Sequence, residues 1–129
     1  MAKVLIVEDD KDLNNAYTII LKKAGHTVES ALNGKIALGA VKKFKPDLIL
    51  LDLLMPIMGG LEFLQNYNLD SHSGVKVLIF TNMENSPEVN EAYSLGATRC
   101  IIKSWTAPQN LTKIVDDVLI SRKKSKSWA

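Results

Sequence analysis

The sequence predicts an α/β fold, a doubly wound five-stranded parallel sheet of the (βα)5 type. Short apolar runs alternate five times with segments whose apolar residues recur at helical spacing, and this alternation is typical of a parallel sheet covered by helices. Of the 129 residues, 47% are hydrophobic, enough for the core of one compact domain, and no apolar run approaches the length of a membrane span. Because crossovers between parallel strands are right-handed, the helices must lie on both faces of an open sheet.

Three strands and two helices are predicted in the first half of the chain. The apolar run at 3–7 indicates a buried strand, and the alternating run at 27–31 indicates a short edge strand. The run at 48–51 is apolar on both faces, as a central parallel strand would be. Apolar residues at helical spacing predict a helix after each of the first two strands, the second of them capped by Asn33.

The second half of the chain continues the same alternation. A third, less regular helix precedes a strand at 75–80, and the fifth strand is expected within 97–102. The Ser-Pro pair at 86–87 predicts the start of the fourth helix, with proline at the first helical position. Thr106 and Gln109 have the spacing of a capping box, which predicts the start of the last helix there.

The positive charge of the chain is concentrated at its C-terminal end. The formal net charge is +2, but the last nine residues hold four basic residues and no acid, so the rest has 12 basic against 14 acidic residues, a net of −2. We expect a folded domain over 1–121 and a basic tail over 122–129 that is disordered or a cut linker rather than a nucleic-acid contact.

Cysteine content and the N-terminal segment bear on location. The single cysteine, Cys100, cannot form an internal disulfide, which agrees with a reducing compartment. The N-terminal segment lacks the long apolar stretch and the small-residue cleavage site of a signal peptide. We therefore expect a cytoplasmic protein without membrane association.

Polar side chains directly follow four of the five predicted strands. Glu8 and Asp9 follow the first strand, Asp52 the third, Thr81 the fourth and Lys103 the fifth. The carboxyl ends of parallel strands meet at one edge of the sheet, where ligands of such folds bind. We therefore expect the acids and the lysine to converge at that edge.

Each of these residues alone has an ordinary structural explanation. An acid after a strand is often a helix N-cap, which we expect for Asp10 or Asp12. A lone aspartate is usually a turn residue and a lone lysine is usually solvated. Together, however, the structural explanation needs four coincidences at the four positions that the topology selects, so we interpret the set as a functional site.

Converging carboxylates need a cation, because they repel one another and would otherwise take up protons. Lys103 offsets one charge, and a hard divalent cation offsets more. Mg²⁺ prefers oxygen ligands, so we expect it to be bound by Asp9, Asp52 and the backbone carbonyl of Leu54, with Glu8 acting through a water.

The residue types at this edge suit phosphoryl transfer. His26 and His72 fall in loop regions away from the strand ends, where we expect them on the surface, so a nucleophile–histidine pair is unsupported. A carboxylate nucleophile, a metal, a hydroxyl and an ammonium group remain. Asp52 would attack phosphorus, while Mg²⁺ and Lys103 neutralise the phosphoryl oxygens and Thr81 donates to one of them.

At this point the chain resembles the receiver domain of two-component response regulators, over nearly its whole length. The motifs are VLIVEDD at 4–10, DLILLDLLMPIMGG at 47–60, VLIFT at 77–81, and GA at 96–97 leading to IIK at 101–103. The resemblance implies a flavodoxin-like sheet with strand order 2-1-3-4-5.

The resemblance also implies residue roles and partners. Glu8 and Asp9 would be the acidic pair, Asp52 the phosphorylation site, Thr81 the switch hydroxyl and Lys103 the phosphate-binding lysine. The phosphodonor would be a phosphohistidine on a sensor histidine kinase or a phosphotransfer protein. Phosphorylation would change the surface of the fourth helix, fifth strand and fifth helix, which would contact a downstream protein, an output domain or a second copy of the chain.

Three positions depart from the family pattern near the site. Ser104 replaces the usual proline that follows the lysine with a cis bond, so we expect a rearranged loop with Trp105 packed near the last two helices. Cys100 occupies the position of the usual switch aromatic, which puts an aromatic rotamer switch in doubt. Asn82 replaces a small residue and is expected to crowd the phosphate or bind it.

Leu54 and Met83 flank the expected phosphate position by family resemblance. Both are apolar and cannot orient a water for hydrolysis, so we expect a long-lived phosphoryl group. Leu54 also argues against the nearest enzyme alternative, an Mg²⁺-dependent phosphatase, because such enzymes usually carry a second acid two residues after the nucleophile.

Three other functions fit the residues less well: nucleotide binding, phosphorylation-independent protein interaction and DNA binding. A nucleotide-binding α/β domain would need a glycine-rich turn after the first strand, where this chain has acids. A phosphorylation-independent interaction module is a minor alternative. No helix-turn-helix pattern fits the remaining residues, so direct DNA binding is not expected. Whether the chain stands alone or is part of a longer regulator stays open.

Overall fold

The computed structural model describes residues 1–82 and 86–120, which form a sheet between two layers of helices. The strands are β1 (Lys3–Val7), β2 (Thr27–Ala31), β3 (Leu48–Leu51), β4 (Lys76–Thr81) and β5 (Arg99–Ile102). The helices are α1 (Lys11–Lys23), α2 (Gly34–Phe44), α3 (Gly60–Tyr67), α4 (Pro87–Ser94) and α5 (Leu111–Ile120). The basic tail predicted at 122–129 lies outside the described residues. No helix in the described ranges is long and apolar enough to cross a membrane.

The sheet is entirely parallel, with the order β2-β1-β3-β4-β5, which confirms the predicted fold and strand order. All four residues of β3 are buried, as expected of a central strand covered on both faces, whereas the edge strand β2 is largely exposed. Alternate strand residues point to opposite faces. Leu5 and Ile49 therefore join the core beneath α2, α3 and α4, and Ile6 and Leu50 join the core beneath α1 and α5.

Three helices begin with a side-chain cap at the positions that the sequence predicts. The Asp10 carboxylate accepts hydrogen bonds from the backbone N–H groups of Asp12 and Leu13, at 3.0 and 3.1 Å. Asn33 caps α2 through the Ile36 N–H, and Ser86 caps α4. Each cap satisfies an N–H group that the first turn of a helix leaves unpaired, and each fixes the loop between a strand and its helix.

The start of the last helix differs from the prediction. The Thr106 hydroxyl does not cap α5 but donates to the Ile102 carbonyl at 3.1 Å. A 3₁₀ turn at Pro108–Asn110 comes next, and α5 begins at Leu111. Proline fixes its own φ and has no N–H, so Pro108 starts this separate turn.

Trp105 and His26 also correct the sequence interpretation. Trp105 is 70% exposed at the end of a 3₁₀ turn (Lys103–Trp105), so the prediction that it packs near the last two helices is wrong. The His26 side chain is only 7% exposed and is not a surface residue. Its Nδ1 accepts a hydrogen bond from the Ala2 N–H, which places the ring proton on Nε2 facing Asp116 at 3.1 Å. His72 is exposed, as expected.

Two glycines provide a matched test of how the loop after β3 packs. A Cβ at Gly60 would overlap the Asp52 carbonyl oxygen and lie 3.0 Å from the Leu53 Cα, whereas a Cβ at Gly39 would meet nothing within 4 Å. Gly60→Ala should therefore lower the free energy of unfolding by about 1–3 kcal/mol through overpacking. Gly39→Ala, in the interior of α2, should raise it by about 0.5–1 kcal/mol.

Urea unfolding of both variants measures these changes. Equal effects of the two substitutions would contradict the close approach of α3 to the backbone that follows β3.

Candidate functional site

Backbone pairing continues past the strand ends and brings the predicted site residues to one edge of the sheet. The Asp52 N–H donates to the Val7 carbonyl at 3.1 Å, and the Glu8 N–H donates to the Ala31 carbonyl at 3.1 Å. Glu8 and Asp52 therefore extend the ladders of β1, β2 and β3 by one residue. Thr81 pairs in register with Ile102, the residue before Lys103.

A lysine lies between two carboxylates at this edge. The Lys103 Nζ is 2.5 Å from the Glu8 Oε1 and 2.9 Å from the Asp52 Oδ2. All three side chains are nearly buried, with that of Lys103 12% exposed. The remaining Glu8 oxygen accepts from the Asp10 N–H at 3.1 Å, and the Leu54 N–H lies 3.4 Å from the Asp52 Oδ1. Residues from the ends of three strands thus meet, as the strand-end pattern predicts.

Burial and charge act in opposite directions on this cluster. Burial raises the pKa of Glu8 above its usual range, although the hydrogen bonds from Lys103 and the Asp10 amide oppose that effect. Burial also acts to lower the pKa of Lys103, but the hydrogen bonds and charges of Glu8 and Asp52 outweigh it, so the pKa of Lys103 is raised. Lys103 is therefore a stable ammonium group, while the Glu8 carboxylate is only partly compensated.

The acids are placed to share a cation. Glu8, Asp9 and Asp52 each offer a carboxylate oxygen, and these oxygens lie within 4.8 Å of one another. Asp9 is exposed and the other two are buried. Three carboxylates against one ammonium leave an excess of negative charge, and an all-oxygen donor set suits a hard cation such as Mg²⁺. The residues present therefore fit the metal that the sequence analysis expects, while ligation by the Leu54 carbonyl stays a prediction.

Thr81 and Asn82 contact the two chain neighbours of the lysine, because Thr81 pairs in register with Ile102 and Asn82 bonds to Ser104. Thr81 ends β4 and is buried. The Asn82 Oδ1 accepts a hydrogen bond from the Ser104 N–H at 3.0 Å, so in this structure its side chain contacts the loop after β5. No cis peptide bond occurs in the described part of the chain, so the Lys103–Ser104 bond is trans, and Lys103–Trp105 forms a 3₁₀ turn.

Asn14 is a supporting residue that the sequence analysis missed. It is buried on α1, and its Nδ2 donates to the carbonyls of Glu8 and Ala31 at 2.9 and 3.2 Å. These bonds hold the backbone at the carboxyl ends of β1 and β2. An amide side chain on the inner, apolar face of the first helix is the signal that could have revealed it.

Cys100, which occupies the position where the family pattern usually has a switch aromatic, lies on the face formed by α4 and β5. Cys100 is half-buried in β5 and packs against the core, and burial raises the pKa of its thiol. Tyr93 is partly exposed on α4, and Glu91 accepts a hydrogen bond from Gln65 of α3 at 3.1 Å. Cys100 is therefore a small, partly packed side chain of β5.

Solved structures with this fold include chemotaxis-type receivers. The chemotaxis response regulator CheY4 of Vibrio cholerae matches with a TM-score of 0.82 and 35% identity, covering 92% of this chain and 98% of that chain. A CheY-like receiver domain protein of Methanospirillum hungatei matches with a TM-score of 0.85 and 25% identity, covering 92% and 94%.

Sequence relatives cover the same region. Protein CcdB of Bacillus subtilis is 33% identical over 119 residues, 92% of this chain and 95% of that protein. The DNA-binding response regulator MtrA of Mycobacterium tuberculosis is 30% identical over 112 residues, 87% of this chain and 48% of that protein. This chain thus spans about half the length of the MtrA proteins that it matches.

A match to a protein-family model agrees with the solved structures and the sequence relatives. The family model that describes the response regulator receiver domain matches residues 4–116, almost the whole of the described fold. The matched segment contains β2 to β5, all of β1 except Lys3, the acidic cluster and the lysine. The chain therefore belongs to the response regulator receiver domain family of two-component signalling.

Proposed function

We propose that this chain is a phosphoacceptor whose Asp52 receives a phosphoryl group, in the presence of Mg²⁺, from a phosphohistidine on a sensor kinase or phosphotransfer protein. The observation that carries the proposal is the position of the Asp52 carboxylate, 2.9 Å from the Lys103 ammonium and beside two further carboxylates. That combination of nucleophile, cationic partner and metal-binding oxygens is what phosphoryl transfer to an aspartate needs.

Three side chains of this protein, those of Asp52, Lys103 and Thr81, take part in the transfer. A carboxylate oxygen of Asp52 forms the new bond to phosphorus, while the phosphorus–nitrogen bond of the donor breaks and its electron pair returns to the imidazole. The Lys103 ammonium neutralises a phosphoryl oxygen, and the Thr81 hydroxyl donates to another. Mg²⁺ bound by Asp9 and Asp52, with the Leu54 carbonyl and a Glu8-linked water, would supply further neutralisation of the phosphoryl charge.

Phosphorylation then acts as a switch. The new group adds charge and acceptor oxygens at Asp52, and Thr81 and Lys103 reorganise around it. The population shifts toward a form with a changed α4–β5–α5 surface, which includes the side chains of Glu88, Glu91, Tyr93 and Trp105.

That surface would contact a protein partner, an output domain or a second copy of this chain, in the cytoplasm. DNA binding is named for MtrA, and we propose that this chain acts through protein contacts and does not itself bind nucleic acid. Its chemistry is confined to its own phosphorylation and dephosphorylation.

Asp52→Asn should abolish phosphorylation, because the amide is not a nucleophile toward phosphorus. Incubation with acetyl phosphate and Mg²⁺ followed by intact-mass spectrometry measures the gain of one phosphoryl group. Asp70→Asn, at an exposed aspartate in the turn after α3, is the matched control and should retain the gain. An acid-labile phosphoryl group on Asp52→Asn would refute the assignment.

Mg²⁺ affinity should decrease as the pH falls through the raised pKa of Glu8. Burial makes this carboxyl hold its proton to a higher pH than an ordinary glutamate does. Only the ionised carboxylate adds negative charge beside the cation and is a pure hydrogen-bond acceptor for the metal-bound water. Glu8→Gln should weaken Mg²⁺ binding at neutral pH and remove this part of the pH dependence. Calorimetric titrations over a pH series measure both, with Glu62→Gln on α3 as the control. Identical pH profiles for wild type and Glu8→Gln would contradict the expectation.

The phosphoryl group should be long-lived. The Leu54 side chain is 64% exposed two residues after Asp52 and offers no polar atom to orient a water; Met83 lies outside the described residues. Leu54→Asn should shorten the half-life of the phosphorylated protein several-fold, whereas Leu54→Met should leave it unchanged. Samples quenched at successive times measure this half-life. Loss of the phosphoryl group from the wild type within seconds would contradict the prediction.

A further inference from the structure

The loops after β4 and β5 are joined by one side-chain hydrogen bond. The Asn82 Oδ1 accepts from the Ser104 N–H at 3.0 Å. Asn82 directly follows Thr81, and Ser104 directly follows Lys103. The bond therefore links the chain neighbours of the two groups that are proposed to contact the phosphoryl oxygens.

The donor in this bond exists because residue 104 is not a proline. Proline has no backbone N–H, so the bond requires both a non-proline residue at 104 and an acceptor at 82. Asn82 supplies that acceptor, and both residues are exposed, so the bond forms at the surface above the nearly buried Lys103 side chain. The two departures from the family pattern at 82 and 104 thus form a single structural unit.

Two other hydrogen bonds of this turn lie within its own loop. The Thr106 N–H donates to the Lys103 carbonyl at 3.1 Å, and the Thr106 hydroxyl donates to the Ile102 carbonyl at 3.1 Å. The Asn82–Ser104 bond differs because it fixes the peptide after Lys103 relative to β4. The Lys103 side chain then extends from that fixed backbone to Glu8 and Asp52.

We infer that Asn82 is a positioning residue that acts through the Ser104 N–H to hold Lys103 beside Asp52. The inference rests on the proposed phosphoacceptor function and gives Asn82 a role other than direct contact with the phosphoryl group. The two roles differ in what they require of residue 104: positioning needs its N–H, whereas a direct contact does not.

The test compares phosphorylation rates with acetyl phosphate at saturating Mg²⁺. Asn82→Ala removes the acceptor and Ser104→Pro removes the donor, and each should slow phosphorylation roughly two- to tenfold, the range that corresponds to one net hydrogen bond. The double variant should be no slower than the slower single variant, because both substitutions break the same bond. Ser104→Ala keeps the N–H and controls for loss of the hydroxyl.

A Lys103→Ala background separates positioning from general loosening of the structure. If Asn82 acts through Lys103, Asn82→Ala has no further effect on the residual rate in that background, whereas loosening would slow it again. Because Asn82 is exposed, its truncation leaves no buried cavity, and circular dichroism confirms folding.

The outcomes distinguish the two proposals. A wild-type protein that gains no phosphoryl group would overturn the proposed function. A phosphorylated wild type with an unchanged rate in Asn82→Ala would overturn the positioning role alone. Slowing by Asn82→Ala with an unchanged rate in Ser104→Pro would instead assign Asn82 to direct phosphoryl contact.

Discussion

The site depends on one buried ammonium group held between two carboxylates. A charge removed from water needs a partner, and Lys103 has two, at 2.5 Å from Glu8 and 2.9 Å from Asp52. Because these residues follow β5, β1 and β3, the same contact ties together three strand ends. One ammonium group against the three carboxylates of Glu8, Asp9 and Asp52 leaves an excess of negative charge at this edge, which suits a hard divalent cation.

The loop that follows Asp52 contains a residue in an unfavourable backbone conformation. Ile57 has a φ of 69° and is 77% exposed. The left-handed region costs an ordinary side chain about 1–2 kcal/mol, and it is especially unfavourable for a β-branched one. Strain of this kind persists where the surrounding structure fixes the backbone. Here the Met58 N–H donates to the Pro56 carbonyl at 2.7 Å across Ile57, and the Met58 carbonyl accepts from the Gly34 N–H at 2.8 Å, so the backbone is held on the C-terminal side of Ile57.

Local patterns in the sequence predicted the sheet and most of the site. Apolar runs located the strands, cap residues such as Asp10 and Asn33 located helix starts, and polar residues after the strands identified the cluster. The errors occurred where a residue's environment is set by a distant one. Ser104, in the turn that ends at the exposed Trp105, bonds to Asn82, 22 residues away. The His26 side chain is 7% exposed and faces Asp116, 90 residues away.

The most direct test of the account is anomalous diffraction from crystals soaked with Mn²⁺, an oxygen-preferring stand-in for Mg²⁺. We expect a single strong peak within bonding distance of the Asp9 and Asp52 carboxylates, with the Lys103 ammonium still beside Asp52. A peak elsewhere on the molecule, or side chains of Asp9, Asp52 and Lys103 that do not meet at one edge of the sheet, would contradict the account.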